Sequence, residues 1–145
     1  MNVPEGFRMP RGVGEVDALL HAIPYARLLG LSSAREGEDV ILCMPYRDEL
    51  VGNARLRAIH GGAIGALLEF AAIAQLMCVA ELAAFPKIVT ITAEYLRTAQ
   101  PDQTTFARAS VTRHGRRVAN VRALAWQADP AKPIAAASTH FLLSV

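Results

Sequence analysis

A histidine, two glycines and a carboxylate fall within one short run, His60-Gly61-Gly62-Ala63-Ile64-Gly65-Ala66-Leu67-Leu68-Glu69. Glu69 sits in the most apolar stretch of the chain, between Leu67-Leu68 and Phe70-Ala71-Ala72-Ile73. A carboxylate buried there without a partner is costly or becomes protonated, so a chain that carries one usually uses it. The glycines offer the complementary chemistry. They allow unusual torsions and close approach of another molecule, and a helix starting there presents unpaired N–H groups and its positive dipole end to a developing oxyanion. Each residue also has an ordinary reading: Glu69 in solvent or paired with an arginine, His60 satisfied by backbone groups, Gly61-Gly62 as a tight turn. The combination at fixed spacing is more specific than any part.

The elements around this run set its geometry. A long helix is expected from Gly61 or Gly62 to Ala83 or Ala84, before Pro86, apolar on nearly all faces and therefore wrapped by something else. Glu69 then lies about 10 to 14 Å along the axis from the glycines, too far for both groups of one chain to meet one carbonyl. A twofold dimer in which one helix start faces the partner's Glu69 removes the difficulty, and sheet edges could pair as well. The wrapper is expected from strands at 87–97, 103–113, 116–127 and 133–143, separated by Gln100-Pro101-Asp102, His114-Gly115 and Asp129-Pro130. Along the first of these, Val89, Ile91, Ala93 and Tyr95 alternate with Thr90, Thr92, Glu94 and Leu96, a half-buried pattern. Val40–Met44 reads as an earlier strand closed by Pro45, Arg47–Ile59 as a loop, Glu15–Leu20 as the start of a short helix broken at Pro24, and Tyr25–Leu31 as a turn. The pattern is α+β, a mostly antiparallel sheet curled around one long helix, in a single domain over 1–145 with a loose segment at 1–14.

Composition narrows the function classes. The chain is 52% hydrophobic and 19% charged, a globular balance. Its net charge of +2 conceals six arginines against one acid, Asp102, in residues 95–127. So local an excess suits a phosphate-bearing small molecule better than a nucleic-acid duplex, although exposed arginines on ordinary strands account for it equally well. Cys43, Cys78 and the four histidines match no metal-ligand or disulfide spacing, and neither a metal nor a separate cofactor is expected. Residues 61–84 are long enough to span a membrane, but Glu69, Gln75 and Glu81 interrupt them, and a buried core helix fits better. The first thirty residues lack a signal-peptide pattern, which makes a cytoplasmic location the expectation.

The chain resembles the hotdog-fold acyl-CoA thioesterases of the PaaI type, related to 4-hydroxybenzoyl-CoA thioesterases. The resemblance is carried by Asn53, by His60-Gly61-Gly62 and by Glu69, nine positions after the histidine, where the family has Asp or Glu. Ile23-Pro24-Tyr25 with Leu29-Gly30, Glu94-Tyr95-Leu96-Arg97-Thr98-Ala99 and Arg113-His114-Gly115-Arg116 extend it from about residue 20 to the end. It implies hydrolysis of an acyl-CoA thioester at the interface of a homodimer, often within a dimer of dimers, with coenzyme A as part of the substrate. On this resemblance Glu69 is the general base or the nucleophile, and the Gly61 N–H polarises the carbonyl with Gly62 close by. Asn53 positions water or the carbonyl, and His60 orients the loop or assists near the leaving thiolate. Asn53 precedes His60 by seven residues, one more than is usual in the family. The family's polar residue at the start of the following strand falls on Thr90 in one alignment and Ile88 in another, and Thr90 is taken as substrate-binding. Arg113 and Arg116, beside Gly115, are the candidates for the coenzyme A phosphates. Leu68, Ile73 and Met77 are candidates for the acyl pocket or for plain core.

Two other functions compete. A non-catalytic hotdog module could bind an acyl-CoA or a partner protein, with Glu69 serving structure only. The helix from Glu69 to Gln75 also looks a little like that of hotdog dehydratases, whose histidine stands in a His-Phe-Pro context where this chain has His-Gly-Gly.

Overall fold

A computed structural model of the chain describes residues 13–143. Two short helices open it, α1 (Val16–Ala22) and α2 (Pro24–Leu28). Proline suits the first helical position because its missing N–H would be unpaired there anyway. Gly30, at φ 70°, ends α2, and Leu31 N–H then returns to the Ala26 carbonyl at 3.0 Å. Tyr25–Leu31 is therefore a capped helix rather than the expected turn. The loose segment expected at 1–14 falls outside the described residues except for its last two.

Among the described residues six strands form one antiparallel sheet: β1 (Ser32–Glu36), β2 (Asp39–Met44), β5 (Lys87–Tyr95), β6 (Thr105–His114), β7 (Val118–Trp126) and β8 (Ala135–Leu142). Their order is β1-β2-β6-β7-β8-β5, which leaves β1 and β5 as the edges. Strand β1 was not legible because Ser32-Ser33-Ala34-Arg35-Glu36 carries no β-like apolar alternation; a two-residue turn at Gly37, φ 60°, folds it onto β2. The stretch expected to be a loop, 47–59, contains a 3-10 turn (Asp48–Leu50) and a small hairpin, β3 (Val51–Asn53) with β4 (Ala58–Ile59).

The long helix α3 runs from Gly61 to Val79, ending four or five residues short of expectation. The chain turns extended at Ala80, and Leu82 and Phe85 pack on the core on the way to the sheet edge. The sheet accommodates so wide an apolar helix because its inner face is small: Ala107, Ala109, Ala119, Ala123, Ala125, Ala135 and Ala137 are all buried beneath it. Leu67, Leu68, Ile73, Leu76 and Met77 of the helix fill the space, so the residues considered as acyl-pocket walls are core. By length and composition α3 could cross a membrane, but 67% of its apolar window is buried in this fold. Its one buried amide, Gln75, accepts the Val40 N–H at 3.1 Å, satisfying a strand donor inside the core.

Candidate active site

His60 caps α3. Its backbone is extended (φ −61°, ψ 133°), and its Nδ1 accepts the Gly62 N–H at 2.8 Å, so the proton of a neutral ring is on Nε2. A β-carbon on Gly62 would stand 2.9 Å from Nδ1, which is why glycine is required beside this cap. The ring is also held from behind. Gly52 of β3 lies so close that a β-carbon there would approach the His60 Cα to 2.7 Å. With the Gly62 donor engaged, the Gly61 N–H heads the helix and has no carbonyl of its own helix to reach.

Tyr95, at the end of β5, closes the other side. Its hydroxyl donates to the Gly61 carbonyl at 2.8 Å. Its ring lies 3.2 Å from where a β-carbon on Gly61 would be, and its Oη is 3.2 Å from the equivalent point on Gly65. Residues four apart share a helix face, so Gly61, Gly65 and Glu69 form one stripe directed toward β5. Glu69 is half-buried and makes no hydrogen bond or ion pair among the described residues. Burial alone pushes its carboxyl above the ordinary glutamate value of 4.5. It lies about 12 Å along the axis from Gly61.

The stripe is open. Ile91, Ala93 and Tyr95 pair with Thr139, Ala137 and Ala135, whose side chains are buried on the helix side of the sheet, so the expected alternation holds from Ile91 to Tyr95; at the bulge between Ile88 and Thr90 it slips, and Ile88, paired with buried Phe141, takes the inner place expected of Val89. Yet Val89, Ile91 and Tyr95 are 57%, 39% and 55% exposed. The strand curls past the helix at the sheet edge, and the expected half-burial is not reached within one chain.

The remaining expected site residues scatter. Asn53 stands on β3, but its Oδ1 accepts the N–H groups of Arg55 and Leu56, both at 3.1 Å, and so shapes the hairpin turn. Thr90 pairs with exposed His140 and lies on the face turned away from α3, separate from His60 and Glu69. Arg113 continues that row through Asn120 and His140. It is thus three strands across and five residues along from Tyr95, about 14 Å and about 16 Å respectively. Arg116 follows in the next turn. Within one chain these arginines do not reach the start of α3. A groove of about 670 Å³, lined by Arg108, Arg122, Asp39 and Glu94, occupies the same outer face.

A family model described as the thioesterase superfamily matches residues 57–134, from the hairpin through α3 to the threshold of β8. The chain belongs to the thioesterase superfamily. Solved structures agree with a hotdog fold for this superfamily member. A protein of Chromobacterium violaceum is 38% identical, with a TM-score of 0.73 and 90% of each chain covered. A phenylacetic acid degradation-related protein of Ralstonia eutropha is 22% identical (TM-score 0.74; 88% of this chain and 98% of that one). A Bacillus halodurans protein solved with CoA is 20% identical (TM-score 0.76; 86% of this chain and 81% of that one). Among curated proteins nothing matches. In this superfamily member the sequence reading missed Gly52, Gly65 and the role of Tyr95. Gly65 had a signal, since a glycine four residues after Gly61 marks a close approach on one helix face. Gly52 had none, because only the hairpin brings it to His60.

Proposed function

We propose that the protein hydrolyses an acyl-CoA thioester in a site shared by two copies of the chain. One observation carries the reading: Glu69 is half-buried and unpartnered, on a stripe whose other end is the Gly61 N–H, about 12 Å away. Neither group can serve the other's carbonyl within one chain. A twofold partner added along β5 would cover Val89, Ile91 and Tyr95, continue the sheet, and set its own helix start against this chain's Glu69. The homodimer, alone or as half of a dimer of dimers, belongs to this proposal.

In the general-base course Glu69 takes a proton from water, and the resulting hydroxide adds to the thioester carbon. The tetrahedral oxyanion faces the Gly61 N–H and the positive end of α3. Collapse breaks the C–S bond, and the proton held by Glu69 passes to the departing CoA thiolate. In the nucleophilic course the carboxylate itself adds, expels the thiolate, and the mixed anhydride is hydrolysed. His60 holds Gly62 and thereby leaves the Gly61 donor for the substrate, and the Asn53 amide nitrogen remains available to water or carbonyl. Thr90, Arg113 and Arg116 are assigned to more distant parts of the CoA moiety, reached only across subunits.

Incubation with a panel of acyl-CoAs while free thiol is followed tests this directly. Hydrolysis lost in Glu69→Gln with the fold intact is the expected result. Tight binding of acyl-CoA with no turnover in the wild type would overturn it in favour of a binding module. Single turnover in ¹⁸O-water separates the two courses, since only the anhydride leaves label in Glu69.

A further inference from the structure

The hairpin that carries Asn53 and leads into His60 is exposed from Gly52 to Arg57, yet it is fastened. Arg57 donates through Nη1 to Asp102 Oδ2 and through Nη2 to Asp102 Oδ1, both at 2.9 Å, a paired fork-to-carboxylate contact. Its guanidinium also stands 5.4 Å from the centre of the Tyr46 ring and 3.9 Å from the Asp48 carboxylate. Both ends of the pair are strained. Arg57 has φ 53° and Asp102 φ 58°, in the left-handed region that side chains other than glycine rarely adopt.

The far end is anchored in the core. Gln127, buried just beyond β7, accepts the Gln100 N–H at 2.9 Å and donates to the Gln100 carbonyl at 3.1 Å. Asp102 follows two residues later, so its carboxylate is offered from a braced turn. With side chains 50% and 65% exposed, solvent limits what the pair adds to folding, even though its fork geometry makes it stronger than a simple surface ion pair. What the pair does set is the position of Arg57, one residue before β4, and hence where the hairpin lies against the start of α3.

We propose that Arg57 is a positioning residue, latched by Asp102 so that the β3–β4 hairpin holds Asn53 and His60 in register with the Gly61 N–H at the reacting carbonyl. This rests on the site reading above. The test compares wild type, Arg57→Ala, Arg57→Lys, Asp102→Asn and Glu69→Gln by steady-state kinetics and by amide hydrogen exchange. Arg57→Ala and Asp102→Asn are each expected to lower kcat about tenfold with KM little changed, because misplaced groups cost reactivity more than affinity. Arg57→Lys should recover only part of the rate, since a single ammonium cannot reproduce the fork. Exchange should accelerate over residues 51–60 and stay unchanged over α3.

Unchanged exchange over 51–60 together with wild-type kcat in Arg57→Ala would overturn the latch. So would a rise in KM for Arg57→Ala that Asp102→Asn does not share, because Arg57 would then be meeting a substrate phosphate. Normal hydrolysis by Glu69→Gln defeats the functional reading instead, and the exchange comparison still decides the latch. Asp102→Asn is nearly isosteric, so the comparison does not depend on Arg57→Ala retaining the fold.

Discussion

The two edges of the sheet are built differently. At the β1 edge the side chains are Ser32, Ser33, Ala34, Arg35 and Glu36, none of them a large hydrophobe, and Asp17 of α1 accepts both the Ser33 N–H and the Ser33 hydroxyl at 2.7 Å. A helix and a carboxylate thus occupy an edge donor that another strand could have used. The β5 edge has no such cover among the described residues, and it exposes Val89, Ile91 and Tyr95 beside the unpartnered Glu69. Natural sheets usually blunt an edge with charge or with covering structure. One edge here is closed and the other is left sticky next to the candidate chemistry, which points to β5 as the side kept for a partner.

The largest effect is expected at Glu69. Glu69→Gln should lower kcat/KM about a thousandfold, the scale of losing a general base. Because burial raises its carboxyl pKa, the acidic limb of the wild-type rate profile should lie above the ordinary glutamate value, with activity rising as the group ionises. Stability runs the other way. An acid whose folded pKa is raised favours the fold most below its unfolded pKa, and that contribution is lost as pH rises through the folded value. Glu69→Gln should therefore raise Tm at neutral pH and do so less in acid, as thermal denaturation at the two pH values would show.

Next in size is the sticky edge itself. On the proposed dimer, Ile91→Lys should give monomers in analytical ultracentrifugation and lower hydrolysis about a hundredfold, since the reacting groups would no longer be held together. A dimer that survives with full activity would remove β5 from the interface. Tyr95→Phe tests the seam between edge and helix: loss of its hydrogen bond to Gly61 should cost about three- to tenfold in kcat, the worth of one such bond. Smallest is the closed edge. Asp17→Ala should cost about 1 kcal/mol in a denaturation experiment, with oligomeric state and kinetics unaltered.

Much of this contrast was legible beforehand, and unevenly. The apolar run after Gly61 marked α3 because a stretch this long and this apolar, broken only by Glu69 and Gln75, exceeds what a strand can hold. Turn residues separated the four later strands correctly to within a few positions. Strand β1 went unseen because a polar edge strand owes its state to pairing with β2 rather than to propensity. The hairpin at 51–59 was hidden for the same reason: its register is irregular between Val51 and Asn53, and its place depends on Gly52 packing against His60. Thr90 illustrates the cost of unknown register. A bulge between Ile88 and Thr90 and the pairing with His140 decide which face Thr90 takes, and a one-residue slip reverses every side chain.

Short-range features of the chain already specify the helix that begins at His60-Gly61-Gly62, the acid nine positions after the histidine, and the strands able to wrap that helix. These follow from periodicity, backbone freedom and the cost of a buried charge, all of which act over a few residues. Tertiary structure alone decided the strand order, the open edge at β5, the use of the Gly62 N–H by His60, the closure of Gly61 and Gly65 by Tyr95, and the meeting of Arg57 with Asp102. Apart from the His60 cap, which is local to the helix start, each is set by residues distant in the chain, and such contacts are selected by packing and hydrogen-bond satisfaction across the whole fold.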